Sequence, residues 1–356
     1  MLNLCKKKEE NYSVEIFNNL SDEFQLAHTI NISEFTKNQA CEFTIFLDDE
    51  SNKIINKLKR NSSHLNDCAE IKAGLKAYEK GKGNPKQNNY DVETRPFDFK
   101  FKKDNTTHKY LEGRDVLRYA INWTDNWLQY GEQLAAPRTF NIFSDKKIII
   151  REIAGKYPKS IIAVYTEELF LFNMSNIAVL EKQGSNISLK YILALLNSKL
   201  MSFYFLKNTA KSVRNLFPKI ILNDLRKFPI KQLEFENQQP FIELSTKMLA
   251  LNEQLNAKQG DFYQLIQSNL NLSKLTEKIK DIFNFDFKDF LAELKKQKIE
   301  IELKKQKEWI DLFNDFKKHI NELQYQINKT DTEIDNMVYE IYELTTEEIA
   351  IVEAKN

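Results

Sequence analysis

The most regular pattern of apolar positions lies in the C-terminal part of the chain. Trp309, Phe313, Phe316, Ile320, Leu323, Ile327, Thr330, Ile334, Met337 and Ile341 follow one another in alternating steps of four and three. That spacing is a heptad seam with one polar member, Thr330, and it predicts a long amphipathic helix. Upstream, Phe241, Leu244, Met248, Leu251 and Leu255 recur every three or four residues and predict a second helix. A Phe-rich segment (Phe283, Phe285, Phe287, Phe290) lies between the two. Thr345-Thr346-Glu347-Glu348 has the form of a capping box and opens a last short helix carrying Ile349, Ile351 and Val352. The pattern leaves open whether the seam packs within the chain or against another one.

The middle of the chain reads differently. Lys147 to Ile153, Ile161 to Tyr165 and Leu169 to Phe172 are short β-rich runs. Ser188 is placed to cap a helix through Tyr191, Leu193, Leu195, Leu196 and Leu200 that ends in Phe203-Tyr204-Phe205. Six of the seven prolines fall between Pro85 and Pro229, so this region is irregular and mixed, because proline interrupts both helix and sheet pairing. Gly81, Gly83 and Gly113 sit beside basic residues and mark turns, and Phe228-Pro229-Ile230 looks like the exit of the domain. Before it, Phe43 to Leu47 fits a strand, and Ser51 to Arg60 a short helix with Ile54, Ile55 and Leu58 on one face. The expected fold class is α+β. Residues 1–64 form an N-terminal segment of unassigned role, 65–232 a mixed α/β domain, and 233–356 an all-α region with a long heptad-patterned helix. No repeat of domain size is visible.

Charge divides the chain in the same places. Residues 65–232 carry 28 Lys and Arg against 17 Asp and Glu, a net of +11, while the remainder carries a net of −10, most of it after residue 232. A basic middle joined to an acidic helical end is the asymmetry expected when one part meets phosphate and the other meets protein, although lysines also serve simply to solubilise an aromatic-rich domain. With 25 Phe and only 8 Gly among 356 residues, the interior should be aromatic. No apolar run approaches the roughly 18 residues of a membrane span, the first ten residues lack the apolar stretch of a secretory signal, and Cys5, Cys41 and Cys68 are far apart. These features predict a cytoplasmic protein without a metal site, a disulfide framework or a membrane partner.

Motifs for catalysis are missing. There is no Pro-Pro pair of the kind that grips a flipped base for amino-group methylation, no G-x-G-x-x-G and no phosphate-cradling G-x-x-x-x-G-K-[ST]. The four histidines (His28, His64, His108, His319) are isolated, and Glu293-Leu294-Lys295 belongs to a charged helical stretch where such strings arise by chance. The expectation is no catalytic residue and no enzyme activity from this chain alone.

Several segments belong together: Ala69 to Gly83, Tyr110 to Tyr119, Trp127 to Gly131 with Leu134 to Arg138 and Lys147 to Ile153, and Tyr191 to Leu200 followed by Leu216-Phe217-Pro218-Lys219-Ile220. In this order they resemble the TaqI-like C-terminal specificity domain of type IIG restriction-modification enzymes and adenine-N6 DNA methyltransferases. Asp331 to Glu353 looks like the end of those polypeptides, so the resemblance runs from about residue 50 onward. It implies target recognition on double-stranded DNA, without the methyltransferase and nuclease domains. It also implies that S-adenosylmethionine and Mg²⁺ act only in a missing or partner catalytic domain, docked on the C-terminal helices. The chain would then be a fragment, a stand-alone specificity polypeptide or the remnant of a larger gene.

Candidate DNA contacts follow from residue chemistry, since cations anchor phosphate and base-edge contacts supply sequence. Lys76, Lys80 and Lys82 surround Gly81 and Gly83, as a DNA-facing loop or merely a solvated one. Arg114 and Arg118 follow Gly113, either as bidentate contacts or as partners of Glu112 and Asp115, with one of the two expected to be structural. Arg138 and Arg151 carry the same ambiguity, and Lys207, Lys211 and Arg214 lie in a polar stretch that could face DNA. Trp123, Trp127, Tyr130, Phe203 and Tyr204 could stack on bases, but aromatics so spaced are more often core. Two rival readings remain: an interaction protein built around the heptad seam, and a cryptic nuclease built on residues 1–64.

Overall fold

The computed structural model describes residues 13–20, 23–31, 48–208, 218–272 and 274–354; the strand expected at 43–47 lies outside them. An antiparallel hairpin of β1 (Ser13–Leu20) and β2 (Glu23–Asn31) precedes helix α1 (Asp49–Lys59), whose Ile54, Ile55 and Leu58 are buried as their spacing requires. Asp48 caps α1 by accepting from the Ser51 amide at 2.7 Å.

Two four-stranded sheets form the middle of the molecule. The first runs β11 (Ala163–Thr166), β10 (Lys147–Arg151), β13 (Asn176–Glu181), β4 (Ala69–Ala73), antiparallel throughout. The second runs β12 (Leu171–Phe172), β6 (Thr107–Leu111), β9 (Trp127–Gln129), β5 (Asp98–Phe99), with β12 parallel to β6. Successive side chains of a strand point to opposite faces, and both faces of the first sheet are covered. Ile149, Val164, Ala178 and Leu180 enter a core shared with Leu111, Leu128, Phe143 and Phe172, between the sheets. Ile148, Ile150, Ala163, Ile177 and Val179 enter the larger core beneath the helices. Burial on both sides is why Ile148-Ile149-Ile150 reads as an unbroken apolar run rather than an alternation.

Helix α2 (Leu189–Asn197), capped by Ser188, covers that second face. The helix expected to run on through Phe205 is in fact two, α2 and α3 (Lys199–Asn208). Asn197 breaks it by turning inward like a strand partner: its Oδ1 accepts from the Ala163 amide at 3.1 Å and its Nδ2 donates to the Ala163 carbonyl at 3.0 Å. Ser198 Oγ then accepts from the Met201 amide at 3.1 Å and starts α3. The exit strand β14 (Pro229–Lys231) pairs with β3 (Ser62–His64), so residues just before the mixed domain close it where the chain leaves.

The C-terminal part folds back on itself. Helix α4 (Phe235–Leu270) packs along α6 (Leu303–Ile341), joined by short turns and α5 (Phe287–Lys296). The heptad seam is buried inside the chain: Phe313, Phe316, Ile320, Ile327, Thr330 and Ile334 are all covered. Phe262, Phe283, Phe290 and Phe313 interlock, with ring centroids 4.8–6.2 Å apart. Helix α7 (Thr346–Glu353) opens with the expected capping box, Thr345 with Glu348. Among the described residues, no helix is long and apolar enough to cross a membrane.

Candidate nucleic-acid interface

Four of the candidate cations border one short turn, Asn173-Met174-Ser175, between β12 and β13. Asn173 Oδ1 accepts from the Ser175 amide at 3.1 Å and shapes the turn. Leu75 bridges Asn173, and Lys76, the next residue, bridges Ala136. Gly74 makes this crossing possible, because an added Cβ would lie 2.1 Å from the Asn173 carbonyl oxygen. Arg138 donates from Nε to that same Gly74 carbonyl at 3.2 Å. Arg151 is paired with Asn176, and the Glu152 amide donates to the Ser175 carbonyl at 2.8 Å. Gly113 lies against Ser175 and carries the chain into Arg114, which is 72% exposed and paired with Glu112 at 3.1 Å. Behind Arg114, buried Asp115 accepts from the Glu112 amide at 2.7 Å, and burial pushes its carboxyl above the usual range.

Lys76, Tyr78, Arg95, Tyr110, Glu112 and Met174 line an open cleft of about 310 Å³ beside this turn. Arg95 was not expected from the sequence. It is held over the Tyr78 ring at 4.9 Å and paired with Asp98 at 2.7 Å. Lys80 and Lys82 stand on the neighbouring loop. Buried Gln87 fixes that loop: its Nε2 donates to the Ala77 and Gln133 carbonyls, both at 2.8 Å, and its Oε1 accepts from the Glu79 amide at 2.8 Å. Gly83, at φ +83°, passes so close to the Gln133 carbonyl that a Cβ would sit 2.4 Å away. The two lysines are therefore exposed on a backbone that is already ordered, which lowers the entropic cost of meeting a phosphate.

Arg118 is the structural one of the pair rather than a free candidate for DNA contact, and its partner is neither Glu112 nor Asp115. It sits in the hairpin of β7 (Val116–Leu117) and β8 (Ala120–Ile121), and its guanidinium is turned into the molecule. It grips Asp331 of α6 at 2.8 and 3.1 Å and donates to the Asn197 carbonyl at 2.7 Å. Lys159 also pairs with Asp331. One turn along, Asp335 accepts from the Lys199 amide at 2.9 Å, and Lys199 reaches Glu353 at 2.6 Å. Burial pushes the Asp335 carboxyl up and the Arg118 guanidinium down, and holds Lys159 at about 8 with Arg118 beside it. This network joins the mixed domain to the helices and leaves Arg118 unavailable to DNA. Lys207 is likewise engaged, 3.6 Å from Asp48, while Lys211 and Arg214 lie outside the described residues.

Of the aromatic candidates, Phe203 and Tyr204 are core. Trp123 and Trp127 stack edge to face at 5.3 Å on a half-buried surface, and Tyr130 packs on Phe140. Among the described residues of the mixed domain, the exposed large aromatics are instead Tyr90 and Phe101, both overlooked in the sequence. The alternation Phe99-Lys100-Phe101-Lys102-Lys103 was the available signal. Among the described residues, no group of three His, Cys, Asp or Glu side chains is placed to hold a metal ion.

The candidate cations thus lie on the two-sheet domain, which the Arg118–Asp331 pair ties to the helical region. Residues 108–230 match the TaqI-like C-terminal specificity domain, and residues 234–338 match a domain of unknown function (DUF8810). A protein of Methanocaldococcus jannaschii named as a type II restriction enzyme and methyltransferase is 25% identical over 230 residues, 61% of this chain and 17% of its own length. The chain thus spans about a sixth of that relative. Two solved structures overlap more loosely, each at 10% identity. The type IIL restriction-modification enzyme MmeI in complex with DNA gives a TM-score of 0.43 over 83% of this chain and 35% of that one. The type IIG restriction endonuclease BpuSI gives 0.40 over 63% and 31%.

Proposed function

We propose that this chain is a target-recognition module for double-stranded DNA in a restriction-modification system. The observation that carries the reading is the gathering of Lys76, Arg114, Arg138 and Arg151 around one turn of the domain that matches the TaqI-like specificity model. Lys80 and Lys82 extend the basic surface on an ordered loop. Cations of this kind fix register on the phosphate backbone, and loops between them read base edges. The helical arm, fixed to the module by Arg118 and Asp331, is the element that would hold a methyltransferase or nuclease partner. S-adenosylmethionine and Mg²⁺ belong, in this reading, to that partner.

The test is selection from a pool of random duplexes with the full chain, followed by a salt titration of the enriched site. Enrichment of a defined sequence, with log affinity falling linearly against log salt, supports the proposal. Failure to retain any duplex even at low salt would falsify it.

A further inference from the structure

We infer that Phe101, on the crossover between β5 and β6, is a base-contacting wedge set among phosphate-anchoring lysines. The inference rests on the DNA reading above and names a contact within it. Phe101 is 62% exposed, while its neighbours Lys100, Lys102 and Lys103 are exposed as well. An exposed phenyl ring gains nothing from water, and single exposed aromatics are ordinary; this one is unusual in being flanked on both sides by exposed cations. Asp104 ends the basic run and is turned back into the loop. It accepts from the Thr106 amide at 2.8 Å, the Thr106 hydroxyl at 2.7 Å and the Thr107 hydroxyl at 2.9 Å. These hydrogen bonds hold its carboxylate in the turn and keep its pKa below the usual carboxylate range, with Lys103 adding to the effect. On the other side, Lys100 donates to Asn126 Oδ1 at 2.6 Å, and Lys103 lies over the Phe99 ring at 4.9 Å. Phe99 in turn meets Phe101 edge to face, with centroids 6.0 Å apart.

A ring held among ammonium groups suits the groove of a duplex, where phosphates line both rims and base faces or thymine methyls lie between. The lysines would take the phosphates and the ring the bases. The two roles separate in a salt titration, because a phenyl ring displaces no counterions and a lysine does.

The experiment uses the full chain and a duplex enriched by selection with it. Phe101→Ala is expected to weaken binding about tenfold at every salt concentration, leaving the salt slope unchanged, and Phe101→Trp to restore it. Lys102→Ala is expected to lower the slope by about 0.9. An equal melting temperature of each variant keeps the comparison free of folding effects. The wedge is overturned if Phe101→Ala binds within twofold of the parent, or if its loss comes with the shallower slope of Lys102→Ala. A parent chain that retains no duplex would instead overturn the DNA reading, and the wedge with it.

Discussion

The Arg118 guanidinium meets the Asp331 carboxylate through both terminal nitrogens, at 2.8 and 3.1 Å, across 213 residues of sequence. Asp331 is only 3% exposed and also receives Lys159. Removing one partner of such a pair strands the other charges in a poorly solvated site, typically at about 3–5 kcal/mol. Asp331→Ala should therefore lower the urea midpoint steeply. Arg118→Lys should not restore full stability, because a lysine lacks the planar fork. A double-mutant cycle on Arg118 and Asp331 measures the coupling.

The same geometry separates Arg118 from the cations of the proposed interface. Lys80→Ala and Lys82→Ala should each make the salt dependence of duplex binding shallower by about 0.9, with little effect on melting. A folded Arg118→Met, Asp331→Leu double variant should keep the parent slope. An equal loss of slope in that double variant would return Arg118 to the interface.

Gly74 is where strand β4 leaves its sheet to cross the Asn173 turn. A methyl group 2.1 Å from a backbone oxygen forces one of the two chains to move, and such overpacking typically costs about 1–3 kcal/mol. Gly74→Ala should lower the melting temperature and also weaken duplex binding, since Lys76 and Arg138 are both fixed against this crossing. Gly81→Ala, with φ +77° but open space around it, should cost less, about 1 kcal/mol.

Lys147 supplies a pH signature. Its side chain is fully buried in the sheet and donates to the Asp145 and Glu168 carbonyls at 2.9 and 2.8 Å. Burial holds its ammonium at about 8, below the ordinary 10.5. Between those values the unfolded chain binds a proton that the folded chain does not, so stability from this group rises with pH and is lost as pH falls through 8. Melting temperature followed from pH 7 to 9.5 should climb more steeply in the parent than in Lys147→Met. Equal slopes would show that the buried amine does not titrate in this range.

Phe313 is the centre of the distal helical knot, touching Phe262, Phe283, Phe287 and Phe290. Truncating a fully buried Phe to Ala typically costs about 3–5 kcal/mol. Phe313→Ala should loosen the tip of the α4–α6 pair, which hydrogen exchange would register in α5 before it registers in the sheets.

The sequence by itself determined the elements whose signals are local. The seam from Trp309 to Ile341, the α4 periodicity, the Thr345–Glu348 box and the Ser188 cap all appear where spacing and capping chemistry placed them, because a helix turn is closed within four residues. The basic character of the middle domain was legible for the same reason, as composition, and the order of its segments carried the resemblance that residues 108–230 match. What the sequence left open is what depends on contacts between distant residues. Only the fold shows that the seam is covered by α4, that Asn197 ends α2 by imitating a strand, and that Lys76, Arg114, Arg138 and Arg151 border one turn. Arg114 and Arg118 look equivalent in sequence, four residues apart after Gly113. One is solvent-facing and the other is spent on Asp331, because a long-range partner, and not the residue itself, decides where a guanidinium ends.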